Sequence, residues 1–423
     1  MLRLTLASPL ALLAAGALAR EVELTYLVAS GADTEAASEA LADAYMAQHP
    51  EVSIEVETRP GGAEGDNLIK TRLATGEMAD LFFYNSGSLF QAPNPTGTLE
   101  PLTDLPAMAG LLDSFKTGVA GTDGEVYGVP AHEFAMGGGI LYNRPIHDGL
   151  GLSVPMTWEE FAANNEAILA AGLVPVAQTY GSTWTSQLFV LGDFFNVQAA
   201  EPGFAEAYTA NEAKYATTPA AMRGFELLQE GFEAGWYNED FGAAIYEDGI
   251  RMVAEGEAAH YPMLTFAITA IEESYPESLP GVGFFAQPGP EGAPNGLTVW
   301  LPGAVYVPQD GDNVEAARDF ANFIGSAEGC GVIVEAIGAG GPTVVEGCDL
   351  PADVPQAVAD MLPYFEREGG TSPALEFLSP IKGPALERIT VEVGSGIRPA
   401  AEAAGLYDQD VVKQAQQLGL EGW

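Results

Sequence analysis

Two cysteines, four histidines and 16 lysines and arginines are few for a chain of 423 residues. Each shortage excludes something. The histidines show no helical ligand spacing, and His132 and His260 have no partner at i+3 or i+4. The cysteines lack zinc-type spacing, so neither a metal centre nor a cofactor is expected. Against 59 aspartates and glutamates, the basic residues leave a net charge of −43. Such a surface repels nucleic acid phosphates and anionic membranes. It says little about a small ligand, because charges beyond about 8 Å are screened at physiological salt. Enzyme signatures are also missing. There is no Gly-x-Ser-x-Gly elbow and no phosphate loop ending Gly-Lys-Ser/Thr. No repeat at solenoid spacing and no low-complexity tract occur.

Long apolar runs are absent beyond the start of the chain. MLRLTLASPLALLAAGALA has one basic residue, Arg3, then an apolar stretch ending in Ala17-Leu18-Ala19. This fits a secretory leader with an A-x-A cleavage site. It is too short to span a bilayer comfortably, and Glu21 and Glu23 follow it. No cysteine stands nearby to carry a lipid. The mature chain is therefore expected to be exported and soluble. Outside the cell Cys330 and Cys348 would meet an oxidising compartment. A disulfide across their loop would add roughly 3 kcal/mol if unstrained. Two buried free thiols are the alternative, with a metal pair behind it.

Hydrophobic residues make up 47% of the chain, enough for a large core, and the length suggests two domains. EVELTYLVA (21–29) reads as a strand, Thr34 to His49 as a helix, and VSIEVET as a second strand. A helix over 66–76 and the buried strand ADLFFYN follow. This β-α-β-α-β order predicts a parallel sheet with helices on both faces. Ligands of such sheets sit beyond the carboxyl ends of the strands, which gives weight to Ser30–Asp33 and Tyr84–Ser88. GEVYGVP (124–130) reads as a strand leaving this unit. GGGILYNRPIHDGLGLSVPMTWEEF (137–161) enters a strand through three glycines and then starts a helix. Thr157 and Glu160 make a capping box there. Further helices are expected at 158–171, 219–234, 246–255 and 315–325, strands at VGFFAQP and AVYVP, and a helical tail over 385–419 broken at GSG.

Several of these stretches, in order, resemble one family. ADLFFYNSGSLF is similar to its "Ala-Asp-hydrophobic" strand before a ligand loop. GEVYGVP is similar to its strand crossing into a second lobe. The 137–161 stretch resembles its Tyr-Asn pair and "Gly-x-x-x-Pro-x-Thr-Trp-x-Glu" helix start. MVAEGEAAHYPM and LPGAVYVPQDGDNVEAARDFANFIGSAEG complete the likeness. The family is the extracellular solute-binding proteins of ABC importers, carbohydrate-type branch, with raffinose-type and other α-oligosaccharide binders as the nearest likeness.

The resemblance implies an α/β fold of two lobes, each with a mostly parallel sheet, joined by three crossovers near 131, 300 and 349. It divides the chain into a leader (1–19), lobe one (20–131 plus 301–348) and lobe two (132–300 plus 349–423). It implies a monomeric periplasmic receptor, not an enzyme. Its ligand is expected to be a neutral sugar or oligosaccharide and its partner the membrane permease subunits of an ABC importer. A sugar offers hydroxyls and apolar C–H faces, so the site should pair flat aromatics with hydrogen-bonding groups. The resemblance carries that role to Tyr84, Asn85, Glu133, Trp184, Phe266 and Trp300, with Asp33 and Phe377 behind them. Phe266 stands where many relatives have tryptophan. Bland readings compete: Tyr84 and Phe266 as core rings, Asn85 as a turn cap, Glu133 as a solvated charge. Trp158 and Trp236 read as packing. Competing functions are the same fold holding a polyamine, or a secreted glycoside hydrolase, which needs two carboxylates about 5–10 Å apart.

Overall fold

The structure, a computed structural model, describes residues 22–132 and 134–423. The expected leader and Glu133 lie outside the described residues. The chain runs through β1 (Val22–Ala29), α1 (Ala32–Gln48), β2 (Val52–Arg59), α2 (Gly62–Thr75), β3 (Leu81–Tyr84) and β4 (Gly128–Pro130). It then forms β5 (Met136–Asn143), β6 (Val174–Val176), β7 (Ala258–Leu264), β8 (Val282–Ala286) and β9 (Leu297–Trp300). It returns for β10 (Ala304–Tyr306) and later adds β11 (Thr371–Pro373).

Two sheets result. The first has the order β2-β1-β3-β10-β4 and the second β11-β9-β5-β7-β6, with β8 also on β5. The fold is the expected two-lobed α/β architecture, with one correction. Only β2-β1-β3 is wholly parallel; β10 pairs antiparallel with both β3 and β4. In the second sheet the three pairings of β5 are antiparallel and only β11-β9 and β6-β7 are parallel. Strands that return from the other lobe arrive from the opposite end, so they cannot run parallel to their neighbours.

The opening glycines are part of β5 itself. Met136–Gly138 pair with β9 and Gly139–Asn143 with β8 along one edge, while β7 takes the other. A Cβ on Gly138 would lie 2.3 Å from the Trp300 ring, and one on Gly139 would lie 2.4 Å from the Phe285 carbonyl. The strand needs bare backbone because its neighbours sit directly on it. The helix Trp158–Ala170 starts as its residues predict: Glu160 N donates to Thr157 Oγ1 (3.2 Å), and Thr157 N donates to Glu160 Oε2 (3.2 Å).

The chain passes between the sheets at three places. β4 leads to β5 through Ala131, Phe134 and Ala135, all buried. β9 leads to β10 through residues 301–303. After Val345, which bridges to Leu111 beside the first sheet, the chain reaches the helix Gln356–Glu366 on β8. The crossings are stitched together: Ala131 N donates to Gly303 O (3.0 Å) and Ala135 N to Pro342 O (2.8 Å). Cys330 and Cys348 form a disulfide that ties the helix Ala327–Ile337 to the segment before the third crossing.

Candidate functional site

The site lies between the lobes and can be followed from one end to the other. At one end three rings of the second lobe meet. Trp184 sits in the short turn Thr183–Gln187, Tyr246 opens the helix Tyr246–Glu255, and Phe266 precedes the helix Ala267–Ser274. Their centroids are 5.3 Å (Trp184–Tyr246), 6.0 Å (Trp184–Phe266) and 5.7 Å (Tyr246–Phe266) apart. All three are half-buried. Trp184 reaches the opposite lobe: a Cβ on Gly62, at the start of α2, would stand 3.9 Å from its ring.

The middle is polar. Arg59 ends β2 and is only 4% exposed. Its Nη1 donates to Pro60 O (3.0 Å) and its Nη2 to Phe83 O (3.3 Å), while Nε finds no partner. Gly65 makes room for it, since a Cβ there would lie 2.3 Å from Nη1 and 1.9 Å from Pro60 O. Tyr84, fully buried at the end of β3, turns its hydroxyl to the Asp66 carboxyl without a well-formed hydrogen bond. Burial pushes the Asp66 carboxyl above its usual range, and Lys70, Arg59 and Lys382 pull it back. Lys382 belongs to the other lobe, so this charge contact spans the cleft. It pairs with Glu376 Oε2 at 3.0 Å, and the other Glu376 oxygen accepts from Trp300 Nε1. Trp300 is thereby fixed, 6% exposed, in a small cluster with Met136 and Ala374 that Phe266 and Phe377 flank.

At the far end Phe377 crosses to the first lobe. Cβ atoms on Gly87 and Gly118 would lie 3.1 Å and 3.3 Å from its ring. Asp33, at the start of α1, also joins the lobes: its Oδ2 accepts from Thr269 Oγ1 at 3.2 Å. His132, on the first crossing, is buried between Thr34 Oγ1 (3.1 Å) and the Phe83 ring (centroids 4.8 Å).

Of the residues singled out by sequence, Trp184 and Phe266 share one wall, and Tyr84, Trp300 and Phe377 line the line of contact between lobes. Asp33 sits at its edge. Asn85 keeps an exposed side chain, and its carbonyl accepts from Tyr306 Oη (2.9 Å). Trp158 and Trp236 pack in the second lobe 6.0 Å apart and donate to Glu230 and Glu166. Sequence reasoning missed Arg59, Asp66, Tyr246, Glu376 and Lys382. One signal was available: β2 ends at Arg59, and Pro60-Gly61-Gly62 follows, at the carboxyl end of a parallel strand where ligands bind.

Comparison with known proteins agrees with this geometry. Over 261 residues the chain is 25% identical to the multiple sugar-binding protein of Streptococcus mutans serotype c, covering 60% of this chain and 59% of that one. The match thus spans less than two thirds of that relative. Among solved structures, a chitin oligosaccharide binding protein superposes with a TM-score of 0.80 at 21% identity, over 94% of this chain and 99% of its own. The solute-binding protein RafE in complex with raffinose gives 0.75 at 20% identity, over 92% and 99%. At these identities the two structures show a shared fold. The family itself is shown by residues 29–329, which match it over most of the chain: this protein belongs to the bacterial extracellular solute-binding proteins.

Proposed function

We propose that the protein is an exported receptor that captures a neutral sugar between its lobes and delivers it to the permease of an ABC importer. One observation carries the reading. Three half-buried aromatic faces (Trp184, Tyr246, Phe266) meet on the second lobe, with Trp184 against the start of α2, and the partly buried Asp66 carboxyl of that helix stands where Lys70, Arg59 and Lys382 all act on it. A pyranose supplies C–H faces for the rings and hydroxyls for the carboxylate. The relatives named above are sugar binders, which supports the same class here. Arg59 and Lys382 in the cleft oppose a polyamine.

The receptor does no chemistry of its own; the leader is removed near Ala19, and the mature protein works as a periplasmic monomer. A ligand shifts the lobes only by its preference for the closed arrangement. Titrating the mature protein with raffinose and chitin oligosaccharides, followed by tryptophan fluorescence and melting temperature, tests this. A saturable response near micromolar Kd, roughly −8 kcal/mol, with no sugar consumed is expected. Trp184→Ala should weaken it roughly tenfold or more, the worth of a lost aromatic face. Binding of spermidine but no sugar would replace the sugar reading, and release of hydrolysed product would end the receptor reading.

A further inference from the structure

We infer that Asp33 and Thr269 are positioning residues: on closure they clasp the two lobes together and hold Phe266 in the aromatic wall. This rests on the sugar-receptor reading and deepens it, because it assigns both residues to closure and neither to the sugar. Phe266 stands between the end of β7 and the helix Ala267–Ser274, so its ring goes where the neighbouring threonines put its backbone. Thr265 fixes one side within the second lobe: its N donates to Gly137 O (3.0 Å), and its Oγ1 accepts from Gly137 N (2.9 Å). Thr269 fixes the other side, since its N and Oγ1 both donate to Phe266 O, at 3.1 Å and 2.7 Å.

A threonine hydroxyl that bonds back to the preceding helical turn is ordinary. The hydroxyl of Thr269 has a second acceptor, and it belongs to the other lobe. Asp33 Oδ2, at the start of α1, lies 3.2 Å from the same Oγ1. A hydroxyl carries one hydrogen, so the two acceptors share it. With the lobes apart only Phe266 O remains. Closure therefore adds a bond to a charged acceptor in one state and not in the other, which is what a contact must do to shift the equilibrium. Because the same hydrogen serves Phe266 O, the added bond pins the turn that carries the Phe266 ring.

Asp33 is anchored for this task. Its Oδ1 accepts from Thr34 N (2.9 Å), and Thr34 Oγ1 stands 3.1 Å from His132 Nε2 on the first crossing. The carboxylate is thus fixed to the first lobe and cannot follow the helix Ala267–Ser274 when the lobes part. Each of its oxygens already accepts a hydrogen bond from the protein. Thr269 is only 4% exposed, whereas Trp184 and Phe266 are half-buried. The two rings are open to a ligand and the Thr269 hydroxyl is turned inward.

The test is stopped-flow tryptophan fluorescence of the mature protein with raffinose and with the β-1,4 trimer of N-acetylglucosamine. Trp184, 6.0 Å from Phe266, reports the event. Thr269→Val removes the hydroxyl and keeps the branched shape. It should raise the dissociation rate roughly tenfold, the worth of a bond to a charged acceptor, and leave the association rate unchanged. Asp33→Ala should do the same. The double variant should lose no more than either single one, because both remove the same bond. Thr269→Ser restores the hydroxyl and should rescue the dissociation rate. A wild-type rate in Thr269→Val overturns the inference. So do losses that add in the double variant, which would mean that each residue meets the sugar separately. A Thr269→Ser loss equal to that of Thr269→Val also overturns it, because the methyl group rather than the hydroxyl would then be at work. All three results leave the sugar-receptor reading intact. If neither sugar binds the wild type, that reading falls and the inference with it.

Discussion

Asp193 is buried in the second lobe, where Asn196 Nδ2 (2.7 Å) and Gln287 Nε2 (3.2 Å) both donate to its Oδ1. Burial outweighs these donors and pushes its carboxyl up to about 7. A carboxyl raised on folding is neutral toward stability below its ordinary 3.8, costs progressively more as pH rises, and reaches its full cost above 7. That cost is on the order of 4 kcal/mol. The His147–His260 pair, 2.8 Å apart and buried, works the other way. Burial lowers His147 to about 4, so stability there is lost as pH falls from 6.5 toward 4. The two effects offset each other in the wild type. Asp193→Asn keeps an oxygen for both donors and removes the titrating carboxyl, leaving the histidine pair's effect in place. Its melting temperature should match wild type near pH 4 and exceed it at pH 8; an equal difference at both would refute the assignment. Legibility at this scale was uneven. Trp184 and Trp300 stood out because Gly, Ser, Thr or Pro flank them rather than helical periodicity. Asp66 and Lys382 did not, because only the packed cleft brings them within reach of each other.

At the scale of elements, β5 couples the core to the site. Trp300 lies on Gly138 and donates to Glu376, so the glycine sets where the ring can stand. Gly138→Ala would gain a few tenths to 1 kcal/mol from a stiffer unfolded chain. Overpacking against a fixed indole costs about 1–3 kcal/mol. The second effect wins. The variant should melt lower than wild type and bind sugar more weakly, and an unchanged Kd with a higher melting temperature would show that Trp300 is free to move. Elements with strong local signals were readable: the Thr157/Glu160 box, the α1 and β2 patterns, the break before the last helix, Ala400–Gln417. α2 begins at Gly62, four residues before the expected start at 66; Gly62 and Gly65, poor helix formers, hide that first turn in the sequence. β4 keeps only Gly128–Pro130 of the expected strand 124–130, since only those residues have a partner in β10. Strand direction was not readable either. Alternation marks a strand and its buried face, but parallel or antiparallel pairing depends on which lobe the chain has come from.

The whole molecule carries a net charge of −43, yet Arg59, Lys70 and Lys382 all act on Asp66. The scarce cations are thus spent partly on one spot between the lobes. How the lobes part follows from the stitched crossings. Because Ala131 N holds Gly303 O and Ala135 N holds Pro342 O, the connecting segments cannot swing independently. They form a narrow hydrogen-bonded ribbon, and a ribbon bends easily about one axis and resists the other two. Opening should therefore be a single rotation, with the ribbon's own bonds intact throughout. Deuterium exchange reads this directly. The amides of Ala131 and Ala135 should stay slow with and without sugar, while those at the start of α2, on the moving rim, slow only when sugar is bound. The spine of this book does not come unsewn when it is opened, so the same ligand always meets the same two pages in the same register.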